Sequence, residues 1–176
     1  VRLGLIQEGD VVSDRGRRVF TNEELTRNLG FMPVVPDLGL DGIQLLPDGE
    51  VLFSMRREQF SESLGTLIQH TDIVSAKGTV VYLGKDLLAP LQPKLPADEI
   101  GLDAFHVWPN GEVWFSTSVS FQSGSPEVGQ VMDGDLLSSD GQVIYRNLEL
   151  VREFQPLEDL ANFGLTGVFL VSDLHV

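Results

Sequence analysis

Apolar and polar residues alternate along this chain in short bursts, each closed by a glycine or a turn tripeptide. In GIQLLPDGEVLFS, Gly42 to Ser54, apolar positions flank Pro47-Asp48-Gly49, whose glycine accepts a positive φ without steric cost, so the segment reads as a hairpin. Its strand a runs from Asp41 to Leu46 and its strand b from Glu50 to Met55; the pattern returns over Asp103 to Trp108 and Glu112 to Thr117. A second hairpin has a strand c ending in DVVS, DIVS or DLLS and a strand d reading RRVF, TVVY or QVIY. Ser-x-x-Gly joins them in every copy, and Gly16, Gly78 and Gly141 stand where a left-handed residue closes a short hairpin. The connectors NEELTRNLG, GKDLLAPLQ and NLELVREFQ keep Leu25, Leu87 and Leu150 in one place and predict a short helical turn, ended by Pro93 and Pro156 in the last two.

These elements recur with a period. Asp41 and Asp103 stand 62 residues apart, and a third start, GLTGVFLVSD, opens at Gly164 with Thr166 in place of the aspartate. Asp10, Asp72 and Asp135 each precede a closing aromatic, Phe20, Tyr82 or Tyr145, by 10 residues, and each aromatic precedes the next start by a constant 21. The one length change falls between the two hairpins, predicting variable loops at Arg56–Gly65 and Ser118–Gly129. The chain therefore reads as one repeat domain over residues 1–176, with a partial unit 1–38, units 39–100 and 101–163, and a partial unit 164–176.

The hairpins DGIQLLPDGEVLFS and DAFHVWPNGEVWFS resemble the inner strand pair of β-propeller repeats, and also repeats of uncharacterised secreted bacterial proteins. The resemblance implies an all-β, propeller-like fold with four antiparallel strands per unit in chain order c, d, connector, a, b; a β-barrel or stacked β-sheets is the alternative. A closed propeller takes four to eight blades. The chain is accordingly expected to belong to a longer array or to close a ring with copies of itself through open strand edges.

Composition narrows the function classes. Hydrophobic residues make up 42% and charged residues 22% of the 176, as in a folding chain. With 26 acidic against 12 basic residues, the net charge of −14 opposes nucleic acid. The two basic clusters, Arg15, Arg17, Arg18 and Arg56, Arg57, read as solvated loop ends. Without cysteine there is no disulfide, thiolate metal site or cysteine nucleophile. No apolar run reaches the roughly 18 residues of a membrane-spanning helix. The opening Val1-Arg2-Leu3 reads as a processed product, so a secreted or periplasmic location is expected. Nucleophile-elbow, phosphate-loop and dinucleotide motifs are all missing from the sequence.

The candidate chemistry lies in the repeated carboxylates Asp10, Asp72, Asp135, Asp41 and Asp103. They read either as acceptors that fix a corner of the backbone or as oxygen ligands for a hard cation such as calcium. A role every unit needs favours the first. Glu8, His70 and Asp133 each stand two residues before a strand c aspartate and are expected to share its face. Trp108 and Trp114 are candidates for binding a small-molecule or glycan ligand, Trp114 because it replaces Leu52, and His70 is a further ligand candidate. The expected function is a non-catalytic binding or structural module. The alternative, implied by metal-bearing propellers, is a calcium-assisted hydrolase or lactonase with the cation near Asp41 and Asp103.

Overall fold

The computed structural model describes residues 4–32, 36–154 and 162–168. A first hairpin joins β1 (Val11–Val12) to β2 (Arg18–Phe20) and leads into helix α1 (Asn22–Thr26), continued by a 3₁₀ turn over Arg27–Leu29. Then follow β3 (Leu40–Leu45), β4 (Val51–Met55), a small hairpin of β5 (Gln59–Ser61) and β6 (Thr66–Ile68), β7 (Ile73–Ser75), β8 (Thr79–Tyr82) and helix α2 (Gly84–Leu88). The sequence of elements repeats as β9 (Leu102–Val107), β10 (Val113–Thr117), β11 (Phe121–Gln122), β12 (Gln130–Val131), β13 (Leu136–Ser138), β14 (Gln142–Tyr145) and helix α3 (Asn147–Val151).

The chain is mostly β, built of several small antiparallel sheets, with no closed barrel among the described residues. Strands a, b, c and d of unit 39–100 form one four-stranded sheet in the order β3-β4-β7-β8, and those of unit 101–163 form another in the order β9-β10-β13-β14. Even the b-to-c register agrees: Phe53 lies opposite Val74 and Leu52 opposite Ser75, as Phe115 lies opposite Leu137 and Trp114 opposite Ser138. The three turn glycines adopt the left-handed conformation, with φ of 66° at Gly16, 94° at Gly78 and 86° at Gly141.

Strand β4 is buried along its whole length. Successive side chains of a strand point to opposite faces, so Val51, Phe53 and Met55 join Leu25, Leu29 and Leu38 in one core while Leu52 joins Leu87, Leu88, Leu91, Phe105 and Phe115 in a second. The two cores flank the first sheet, the second separating it from its successor. The first strands of the two sheets, β3 and β9, lie side by side. There the Gln44 amide donates to the Val107 carbonyl at 3.1 Å and accepts from the Val107 N–H at 2.7 Å.

Two sequence expectations are corrected. Where variable loops were expected at Arg56–Gly65 and Ser118–Gly129, the chain forms the hairpins β5–β6 and β11–β12. Each grips the end of the preceding connector. Ser61 Oγ donates to the Leu29 carbonyl and Ser123 Oγ to the Leu91 carbonyl, both at 2.5 Å, satisfying acceptors that a helix end leaves open. The second correction concerns helix termination, which is set by a left-handed residue, Gly30 with φ 66° and Gln92 with φ 49°, rather than by Pro93. Pro156 lies outside the described residues.

The strand c aspartates organise the corners. In each copy one carboxylate oxygen accepts the N–H three residues back, from Gln7, Gln69 or Met132, at 2.9–3.0 Å. The other accepts the first N–H of the following helix, from Asn22, Gly84 or Asn147, at 2.8–2.9 Å. Directly beneath, one small and one large residue interlock. A Cβ on Gly9 or on Gly134 would come within 2.4 Å of the Asn22 or Asn147 side chain, whereas in the middle copy the sizes are exchanged and a Cβ on Gly84 would come within 2.1 Å of Thr71. Gly84→Asn alone is expected to destabilise by about 1–3 kcal/mol through overpacking. Thr71→Gly with Gly84→Asn rebuilds the outer pairs and should recover most of that loss; urea melts of both single variants and the double variant measure the coupling.

Candidate functional site

The anchor aspartates Asp10, Asp72 and Asp135 are held in separate corners, each with both carboxylate oxygens accepting backbone N–H groups. Two of them also pair with arginine. Arg18 Nε lies 3.1 Å from Asp10, and an Arg146 terminal nitrogen lies 2.8 Å from Asp135. Arg18 thus turns inward to a carboxylate whose side chain is almost fully buried, correcting its reading as a solvated loop end. Glu8, His70 and Asp133 do not share a strand face with the anchors. They sit in the tight turns that precede strand c, where the anchor N–H donates three residues back, so strand alternation does not apply.

Asp41 and Asp103 are placed differently. They stand at equivalent points of β3 and β9, whose side-by-side packing brings the two carboxylates within electrostatic reach. Burial, with the Asp103 charge added, pushes the Asp41 carboxyl up to about 6, against the opposing pull of Arg56 at 3.7 Å. Asp103 is raised too, first by burial and then by Asp133. Asp133 is itself fixed by neighbours: its N–H donates to Ser120 Oγ at 3.1 Å, and its carboxylate accepts from Ser120 Oγ at 3.2 Å and from the Asn162 amide. Asp103 thus raises Asp41 and Asp133 raises Asp103, while the guanidinium of Arg56 opposes both shifts. Among the described residues, no group of three or more His, Asp or Glu side chains is arranged to hold a metal ion.

The aromatic candidates gather on one face of the second sheet. The Trp108 ring meets the His106 ring edge-on at 5.0 Å and the Trp114 ring at 4.9 Å, while the Trp114 indole N–H donates to Glu112 at 2.7 Å. The equivalents of His106, Trp108 and Trp114 in the first sheet are Gln44, Leu46 and Leu52, the residues that the second sheet covers. This aromatic face is therefore the second sheet's counterpart of the face that the second sheet covers on the first. Nearby, Ser116 Oγ of β10 donates to the Leu165 carbonyl at 2.5 Å. Burial lowers the His106 pKa, favouring the neutral ring. His70 is half-buried, and its carbonyl accepts from the Leu102 N–H at 3.3 Å.

No family model, curated protein or solved structure matches the chain at a significant level.

The sequence marked Arg56 as a solvated loop end and Asp133 as a face-mate of Asp135, and nothing in it singled out Asn162; Arg56 meets Asp41, and Asp133 meets Asp103 and Asn162, within one unit each, and only the approach of Asp41 to Asp103 spans two. Asp41 carries a pH signature. Since folding raises the Asp41 pKa from 3.8 to about 6, the folded state binds more protons than the unfolded one in that window, and stability falls as pH rises through it. Asp41→Asn should therefore stabilise the protein above pH 6, on the order of 1 kcal/mol after allowance for solvent screening, with the gain fading toward pH 4. Melting temperatures of both proteins across that range give the comparison; a difference independent of pH would contradict the coupling.

Proposed function

We propose that this chain is a stretch of a propeller-like repeat protein acting as a non-catalytic binding or structural module, secreted or periplasmic, whose units pack face to face around their first strands. The observation that carries this reading is the adjacency of β3 and β9, the first strands of two sheets with the same order and register, across a continuous apolar core. Consistent with it, the recurring aspartates hold backbone corners in every unit.

Self-association through strand edges belongs to this reading. Strand c of the first hairpin pairs with strand d but has no b strand beside it among the described residues. Val12 is accordingly 46% exposed, whereas its equivalents Val74 and Leu137 are fully buried. An edge of this kind is a template for a further strand. Light scattering of purified protein should show a defined ring-sized oligomer, or a longer parent chain should supply the additional units. A strictly monomeric protein with no longer parent would refute ring closure.

The mutual repulsion of Asp41 and Asp103, which a cation between them would relieve, is what favours a second reading, a calcium-assisted hydrolase or lactonase with the cation beside these two carboxylates. On this reading calcium raises the melting temperature and a chelator lowers it, since a ligand bound only by the folded state stabilises that state. Asp103→Asn should abolish the shift. An unchanged melt on chelation removes the hydrolase reading and leaves the module reading intact.

A further inference from the structure

The three corners built on Asp10, Asp72 and Asp135 are alike in backbone but not in their cations. At the first, Arg18 lies against Asp10 and donates from a terminal nitrogen to the Leu5 carbonyl at 2.5 Å. At the third, Arg146 pairs with Asp135 and donates to the Gln130 carbonyl at 2.6 Å, with a further bond to the Val128 carbonyl at 2.6 Å. Leu5 and Gln130 are equivalent, each five residues before its aspartate. The two arginines come from different places, one from strand d and the other from the residue before the helix, and both set a guanidinium between the same carboxylate and the same carbonyl.

The middle corner has no such residue. Val80 stands where the first copy has Arg18, and Leu83 where the third has Arg146. In their place is a cleft of about 360 Å³ lined by Thr66, Leu67, Gln69, Thr71, Asp72 and Leu83, with Lys85, Ala97 and Asp98 completing the wall. Its floor is the buried pair Thr71 and Asp72. Leu67, the equivalent of Leu5 and Gln130, is on its wall. The Gln69 side-chain oxygen, buried and without a hydrogen-bond partner, is a further acceptor at the same cleft. Lys85, on an exposed part of the wall, makes no ion pair with Asp72. The Asp72 carboxylate and the unpartnered Gln69 oxygen favour a donor, and the planar fork of a guanidinium pairs at once with a carboxylate and a further acceptor, as Arg18 and Arg146 do at the outer corners.

We infer that the cleft beside Asp72 is a binding site for a guanidinium group delivered by another molecule, filling in trans the place that Arg18 and Arg146 fill in cis. It is present whether or not the units close a ring.

Amide NMR titration of the whole chain with N-acetyl-arginine amide tests this, with the uncharged isostere N-acetyl-citrulline amide as control. The arginine probe should give saturable shifts at the Gln69 and Gly84 amides, with at least tenfold weaker binding of the citrulline probe. Asp72 also fixes the corner, so the decisive variant is Leu83→Arg, which supplies the cation from the position of Arg146. It should melt at a higher temperature than the parent and no longer bind the probe. Lys85→Ala should bind as well as the parent or better. Methylguanidine separates the sources: weaker binding than the amide probe indicates an arginine side chain of a peptide or protein, and equal binding a small guanidino compound, either result sustaining the site. Absence of saturable shifts, equal binding of citrulline, undiminished binding by Leu83→Arg, or binding seen only after Lys85→Ala would overturn it.

Discussion

A strand whose side chains are apolar on both faces cannot border water, and β4 is such a strand. Val51, Phe53 and Met55 require cover from one side and Leu52 from the other, so the first four-stranded sheet is stable only between two neighbours. Alternation along five residues thereby dictates stacking. The preceding connector covers one face, the second sheet with helix α2 covers the other, and the side-by-side position of β3 and β9 follows from that packing. Asp41 and Asp103 become neighbours as a result, although 62 residues separate them in the chain.

Local features of this arrangement were legible because each rests on a short-range requirement. The turn glycines at 16, 78 and 141 need a positive φ, and a serine three residues earlier followed by an apolar strand after the glycine marks the hairpin in every copy. The anchor aspartates accept the first N–H of the helix 12 residues on in every copy, which is why their spacing to the closing aromatics within that stretch never changes. The β5–β6 and β11–β12 hairpins were not legible, since they differ in length and composition and share little beyond Ser61 and Ser123, whose partners lie 32 residues upstream. Helix termination at Gln92 escaped notice for a related reason: a non-glycine in the left-handed region leaves no compositional mark.

The candidate sites divide along the same line. Asp41 and Asp103 were visible as repeated carboxylates, but their approach to each other depends on inter-unit packing that no single repeat encodes, whereas Arg56 and Asp133 join them through the folding of their own units. The exchange of Gly9 and Asn22 for Thr71 and Gly84 shows the reverse situation. Two positions 13 residues apart vary together, and only their contact in space makes the variation one event. Departures from the repeat therefore carry as much information as its constants, because each must be compensated by a neighbour or left as a cavity.

The grip of Ser61 on Leu29 and of Ser123 on Leu91 bears on how such a chain acquires its shape during synthesis. The carbonyls at the end of the first two connectors wait for a hydroxyl that leaves the ribosome 32 residues later, so a nascent unit is completed by its successor. Order then spreads from the amino terminus in overlapping steps, and a chain halted midway carries a loose final connector, a natural point of attack for a protease.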